Sequence, residues 1–365
     1  MEHQDGTFDS ALEERSGVER PASVNPAFTG GSFIRHVRPQ ELSADYYAEG
    51  ILQRNRTILS RAITMIESSL PKHQEIAQKI IEKCLPYGGD SLRVGITGVP
   101  GAGKSTFIEA LGTHLVRSGN KLAVLAIDPS SERSKGSILG DKTRMEELSC
   151  MENAFIRPSP STGSLGGVAR KTRETIVLCE AAGFNRIFVE TVGVGQSETA
   201  ATRMVDYFLL LQVAGTGDEL QGIKRGIMEM ADGIAINKAD GDNIQRAKLA
   251  AVQLRNALSL FPLAASGWKP TVEICSSYTK DGINDVWAQI EDYERYTKST
   301  GYFQRKRVEQ METILKETLT SNILQYFFED SANKALIEEA LQKVKNSEES
   351  PYIAAQRLLK NFLKK

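Results

Sequence analysis

The chain has 365 residues, 41% of them hydrophobic, and a net charge of −1. That composition suits a soluble protein of two or three domains. It excludes a global charge-driven attraction to nucleic acid or anionic lipid, and no uninterrupted apolar run approaches the ~20 residues of a membrane helix.

Residues 1–40 are polar, carry Glu2, Asp5, Asp9, Glu13, Glu14 and Glu19, and are punctuated by Pro21, Pro26, Gly30, Gly31 and Pro39. They are expected to form a flexible arm. Their acidity argues against a secretory signal and a mitochondrial presequence, so a cytoplasmic location is expected. Next, Ser43 is placed to cap one helix carrying Ile51, Ile58, Leu59, Ala62, Ile63 and Ile66 at helical spacing. Pro71 suits the first turn of a second helix with Ile76, Ala77, Ile80, Ile81 and Cys84 on one face. Together they form a helical segment over 41–90.

From about residue 91 the pattern alternates. Strand-like runs fall at 92–97, 122–127, 154–157, 186–190, 207–212, 233–237 and 271–275, mostly separated by helical segments. Apolar strands alternating with helices predict an α/β domain over 91–295, with a mostly parallel sheet covered on both faces. Ligands of such sheets bind at the carboxyl ends of the strands.

The first run ends in Gly98-Val99-Pro100-Gly101-Ala102-Gly103-Lys104-Ser105, followed by Thr106 and a predicted helix over 106–116. This is the P-loop spacing in its strand–loop–helix context. Glycines let backbone N–H groups converge on phosphate oxygens, and the helix start adds partial positive charge. Lys104 is expected to reach the β- and γ-phosphates and Ser105 to hold Mg²⁺.

Acidic residues follow at the other strand ends. Asp128 closes the second run and Asp141 lies in the Gly/Ser/Lys-rich segment after it. Glu190-Thr191-Val192-Gly193 stands where GTPases usually carry DxxG. Asp128 and Glu190 are candidates for holding Mg²⁺ or orienting the attacking water, which makes Lys104, Asp128 and Glu190 the expected catalytic group. Mg²⁺ needs few protein ligands because phosphates and waters complete its octahedron. Gln196 is not adjacent to Gly193, so glutamine-assisted water positioning is not expected.

Asn237-Lys238-Ala239-Asp240 closes the sixth run and matches NKxD, the guanine-reading motif. An Asp carboxylate accepts from guanine N1–H and its exocyclic amine, a pattern adenine lacks. Ser276, Ser277 and Tyr278 follow the seventh run, where GTPases place a loop against the base. Cys84, Cys150, Cys179 and Cys275 stand apart, with no CxxC, and the four histidines do not pair at ligand spacing. Reduced, mostly buried thiols are expected rather than a metal site.

Beyond about residue 296 the chain is helical and charged, with apolar positions such as Ile314, Leu319, Ile323, Leu324, Phe327 and Phe328. Spacing leaves open whether these helices pack on their own sheet domain or form a dimerisation arm.

Several segments together carry a resemblance. They are Asp128-Pro129-Ser130-Ser131, the GSILGDKTR run from Gly136 to Arg144, Arg157-Pro158-Ser159-Pro160, the run from Glu190 to Ser197, and the GDELQG run from Gly217 to Gly222. With the P-loop and NKxD, over about 55–285, they resemble the methylmalonyl-CoA mutase-associated GTPases (the MeaB/ArgK/MMAA family). The resemblance implies a P-loop GTPase of the signal-recognition-particle and MinD-like branch, with N- and C-terminal helical extensions. It implies a homodimer built on 296–365, and an adenosylcobalamin-dependent acyl-CoA mutase as partner, usually methylmalonyl-CoA mutase. Hydrolysis of GTP to GDP would gate cofactor delivery and protect the mutase. Ser105, Asp128, Asp141 and Glu190 would form the Mg²⁺ cluster, 98–106 would hold phosphates, and Asp240 with 276–278 would contact guanine. Asp218 and Lys224 would lie in a nucleotide-responsive segment. Competing readings are a nickel-type metal-insertion GTPase, which needs Cys or His ligands, and a non-catalytic nucleotide-dependent scaffold.

Overall fold

A computed structural model describes residues 42–128, 145–160, 165–191, 196–214 and 225–362. Three helices open this part: α1 (Ala44–Leu52), α2 (Arg56–Glu67) and α3 (Pro71–Cys84). Ser43 caps α1, its hydroxyl accepting from the Tyr46 N–H at 3.2 Å. The single helix expected over this stretch is in fact α1 and α2. Arg54 turns into the left-handed region at φ 63°, and Asn55 Oδ1 accepts from the Thr57 and Ile58 N–H groups as a new cap. The two helices then fold closely together. A Cβ at Gly50 would stand 2.3 Å from Ile58 Cδ1.

The sheet has seven strands, β1 (Leu92–Gly98), β2 (Leu122–Asp128), β3 (Ala154–Pro160), β4 (Arg186–Thr191), β5 (Tyr207–Val213), β6 (Gly233–Asn237) and β7 (Thr271–Ile274). Their order is β3-β2-β4-β1-β5-β6-β7, and every pair is parallel. All seven lie where the apolar runs predict them. β3 runs on through Pro158 and Pro160, which an edge strand tolerates because its outer side needs no ladder N–H.

Among the described residues the intervening helices are α4 (Lys104–Arg117), α5 (Glu146–Ser149), α6 (Leu165–Ala181), α7 (Gln196–Thr202), α8 (Arg225–Met230) and α9 (Ile244–Ser259). Alternate strand residues face opposite layers. Val94, Ile96, Leu209, Leu211 and Ala235 join Phe107 and Leu111 of α4 in one core. Leu210, Ile234 and Ile236 join Ala247, Ala251 and Leu254 of α9 in the other. The sheet is thus a doubly covered α/β sheet. From β1 the chain builds one flank through β2, β3 and β4, then crosses to β5, β6 and β7 on the other. That reversal opens a crevice at the carboxyl end of β1.

Four helices complete the chain: α10 (Ile283–Ser299), α11 (Tyr302–Glu329), α12 (Ser331–Lys345) and α13 (Pro351–Phe362). α10 packs Ile283, Val286, Trp287 and Ile290 into the α4-side core. α11 is 28 residues long, or about 42 Å at ~1.5 Å per residue. Its buried residues are Phe303, Arg307 and Gln310, all near its start.

Candidate functional site

The P-loop leaves β1 at Gly98 and enters α4 at Lys104, two residues before the predicted helix start. Two glycines are required by packing. A Cβ at Gly98 would stand 2.2 Å from the Leu211 carbonyl oxygen of the neighbouring strand. Gly103 is left-handed at φ 83°, and a Cβ there would stand 2.9 Å from Asn237 Nδ2. Between them Val99 packs on the core, Ala102 is buried, and Pro100 and Gly101 are exposed. The loop closes on itself through Ala102 N–H to Val99 O at 3.1 Å. Thr106 lies exposed in the first turn of α4, where helix N–H groups have no intrahelical acceptor.

Lys104 curls back over this loop, its ammonium donating to Gly98 O at 2.8 Å and Val99 O at 3.3 Å. Burial lowers its pKa, against the pull of the Glu190 and Glu198 carboxylates. The lysine therefore sits among phosphate-like acceptors, with two acids nearby. Glu198 lies in the first turn of α7 and is fully buried. It was not singled out from sequence; its only local signal is an acid at a helix start just after the Glu190 motif.

Ser105 donates its hydroxyl to Glu190 Oε1 at 3.1 Å, bringing α4 and the end of β4 together. Just beyond, Thr191 donates to Thr97 Oγ1 at 2.9 Å, tying β4 to β1. The backbone of Asp128 ends β2, one position past the pairing of Ile127 with Thr191. The donor set fits Mg²⁺, a hard cation that takes hydroxyl and carboxylate oxygens and keeps phosphate and water for its remaining positions. Asp141, Asp218, Lys224 and the arm over 1–40 lie outside the described residues.

The Asn237–Asp240 motif lies on the other side of the loop. Asn237 is 1% exposed and acts as a strut. Its Nδ2 donates to Ala102 O at 2.9 Å, while its Oδ1 accepts from Ser277 N–H at 3.0 Å and Ser277 Oγ at 2.8 Å. Lys238 takes a left-handed φ of 58°, and its Cε lies 3.8 Å from the Cβ position of Gly103. The lysine stem thus lies over the P-loop. Ser276 donates to Asp240 Oδ2 at 2.5 Å and accepts from the Tyr278 and Thr279 N–H groups at 3.2 and 3.1 Å. One carboxylate oxygen of Asp240 is thereby held by the following loop. Tyr278 is 87% exposed at the rim.

Among the described side chains, Lys104 lies on the loop carbonyls, Ser105 meets Glu190, and Asn237 and Lys238 reach the same loop from the end of β6. Sequence reasoning gave Asn237 to nucleotide binding, and its side chain also joins the two loops.

Comparison with known proteins places this geometry. The family described as methylmalonyl Co-A mutase-associated GTPase MeaB matches residues 59–332. The chain is 45% identical over 306 residues to GTPase ArgK of Escherichia coli, spanning 84% of this chain and 92% of that one. It is 43% identical over 323 residues to the mitochondrial methylmalonic aciduria type A homolog of Mus musculus, spanning 86% and 78%. A crystal structure described as a LAO/AO transport system kinase superposes with a TM-score of 0.71 at 38% identity, covering 88% of this chain and 98% of that one.

Proposed function

This chain belongs to the methylmalonyl-CoA mutase-associated GTPases, and from that premise we propose that it hydrolyses Mg²⁺-bound GTP to GDP and phosphate to gate adenosylcobalamin loading and protection of an acyl-CoA mutase. Methylmalonyl-CoA mutase is the partner we propose. The observation that carries the hydrolytic part is the Ser105–Glu190 pair beside the P-loop lysine.

Bound Mg²⁺ would be held by Ser105 and Glu190, with Asp128 and Asp141 completing the acidic shell, and would neutralise charge on the β- and γ-phosphate oxygens. Lys104 exchanges the Gly98 and Val99 carbonyls for phosphate oxygens. The N–H groups at the start of α4 supply further donors. Asp128 or Glu190 orients the water for in-line attack. Asp240 and the 276–278 loop select guanine. Such reactions run almost wholly on positioning and electrostatics. With no glutamine placed as in Ras, unassisted turnover should be slow, on the order of 10⁻³ s⁻¹, and a partner mutase should accelerate it.

We further propose a homodimer through the C-terminal helices. Met311, Leu315 and Leu319 recur at helical spacing on α11 and are 66%, 70% and 58% exposed, an apolar stripe of the kind a second helix covers. The four free cysteines suit a reducing, cytoplasmic compartment. Calorimetry tests the nucleotide claim: Mg²⁺-dependent binding of GDP and a non-hydrolysable GTP analogue, with no matching affinity for adenosine nucleotides, is expected. Equal affinity for both bases would refute it.

A further inference from the structure

α11 is tied to the GTPase body at two levels. At its root, Arg307 holds both carboxylate oxygens of Asp206 and Gln310 donates to Val205 O. These groups sit at the amino end of β5, away from the nucleotide. About 15 Å further along the helix, at ~1.5 Å per residue, Glu317 receives two arginines. Arg173 Nη1 donates to one of its oxygens at 2.9 Å and Arg203 Nη1 to the other at 2.7 Å. Burial alone would raise the Glu317 pKa, but the hydrogen bonds and charges of the two guanidinium groups outweigh it and lower it.

The two arginines come from different places. Arg173 is in α6, the helix that follows β3. Arg203 stands directly after α7, the helix that follows β4. β4 ends beside Glu190, the residue that accepts from Ser105. α7 itself buries Glu198 and packs against β1 and β4. Little more than one helical turn therefore separates the buried Glu198 from an arginine held by α11.

We propose that Glu317 is a positioning residue for GTP hydrolysis: through Arg203 it fixes α7 against α6, and so couples the phosphate site to the C-terminal helices. The inference rests on the GTPase reading above. The Arg203–Glu317 pair is exposed, at 53% and 39% of the two side chains, and an exposed ion pair contributes little to stability, so loss of that pair should move the chemistry more than the fold.

The test is steady-state GTP hydrolysis by the full chain, comparing wild type with Glu317→Gln, Arg203→Gln and the double variant. Glu317→Gln is expected to lower kcat about tenfold, with KM for GTP unchanged and the thermal midpoint shifted by at most a few degrees. The double variant is expected to be no slower than Glu317→Gln alone, because both changes cut one link. A wild-type kcat in Glu317→Gln overturns the proposal. Multiplying losses in the double variant, or a kcat loss matched by a collapse in thermal midpoint, overturns it too. Wild type that fails to hydrolyse GTP with Mg²⁺ overturns the underlying GTPase reading, whereas active wild type with an indifferent Glu317→Gln overturns the Glu317 proposal alone.

Discussion

Asn237 donates its side-chain amide to the Ala102 carbonyl at 2.9 Å, so a single residue joins the Asn237–Asp240 motif to the P-loop. Its other end holds Ser277 by two further hydrogen bonds. Replacing it with Ala strands buried partners on both sides, each costing about 1–3 kcal/mol. Asn237→Ala should therefore lose about 2–4 kcal/mol of stability in urea denaturation and weaken GDP binding along with it. Unchanged stability would show that the strut is dispensable.

Asp240 offers two acceptor oxygens, and Ser276 orients one of them at 2.5 Å. Asp240→Asn converts one acceptor into a donor, which opposes the exocyclic amine of guanine and suits a base with a carbonyl there. GDP affinity should fall about 100-fold or more while xanthosine diphosphate gains. A titration in which both nucleotides weaken equally would mean that Asp240 does not read the base.

Lys104 carries a pKa lowered by burial, against Glu190 and Glu198. The free protein therefore sheds this proton below the usual lysine value of about 10.4, whereas the triphosphate needs the charged form. GTP affinity should be full at neutral pH and fall as pH rises through the lowered value. Lys104→Arg, which stays charged, removes the lysine's share of that fall and separates it from titration of the base. Calorimetry across that range would contradict the assignment if both proteins gave the same pH profile.

Arg307 anchors α11. Its side chain is 6% exposed and that of Asp206 2%, and it also donates to the carbonyls of Gly89 and Ser91. Truncation leaves a buried carboxylate unpaired, so Arg307→Ala should cost about 3–5 kcal/mol in chemical denaturation. Arg307→Lys should restore only part of this, because a point charge cannot reproduce the bidentate fork.

The strands, the P-loop and NKxD were legible because each leaves a local signature: continuous apolar runs, fixed glycine spacing, or a polar motif at a strand end. The break at Arg54 and Asn55 was masked because the apolar spacing continues from Ile51 to Ile58 across it. Gly50 and the capping Asn55 were the available signals. The strut role of Asn237, the burial of Glu198 and the bridging of Arg173 and Arg203 by Glu317 depend on contacts between segments far apart in the chain. No local spacing encodes them.

We propose a GTPase whose hydrolysis answers to an acyl-CoA mutase. Its most direct test is the rate of GTP hydrolysis by the full chain with Mg²⁺, measured alone and with an adenosylcobalamin-dependent methylmalonyl-CoA mutase. Slow turnover alone and an increase of at least about tenfold with the mutase are expected, as the partner orders the catalytic segments. Identical rates with and without the mutase would contradict it.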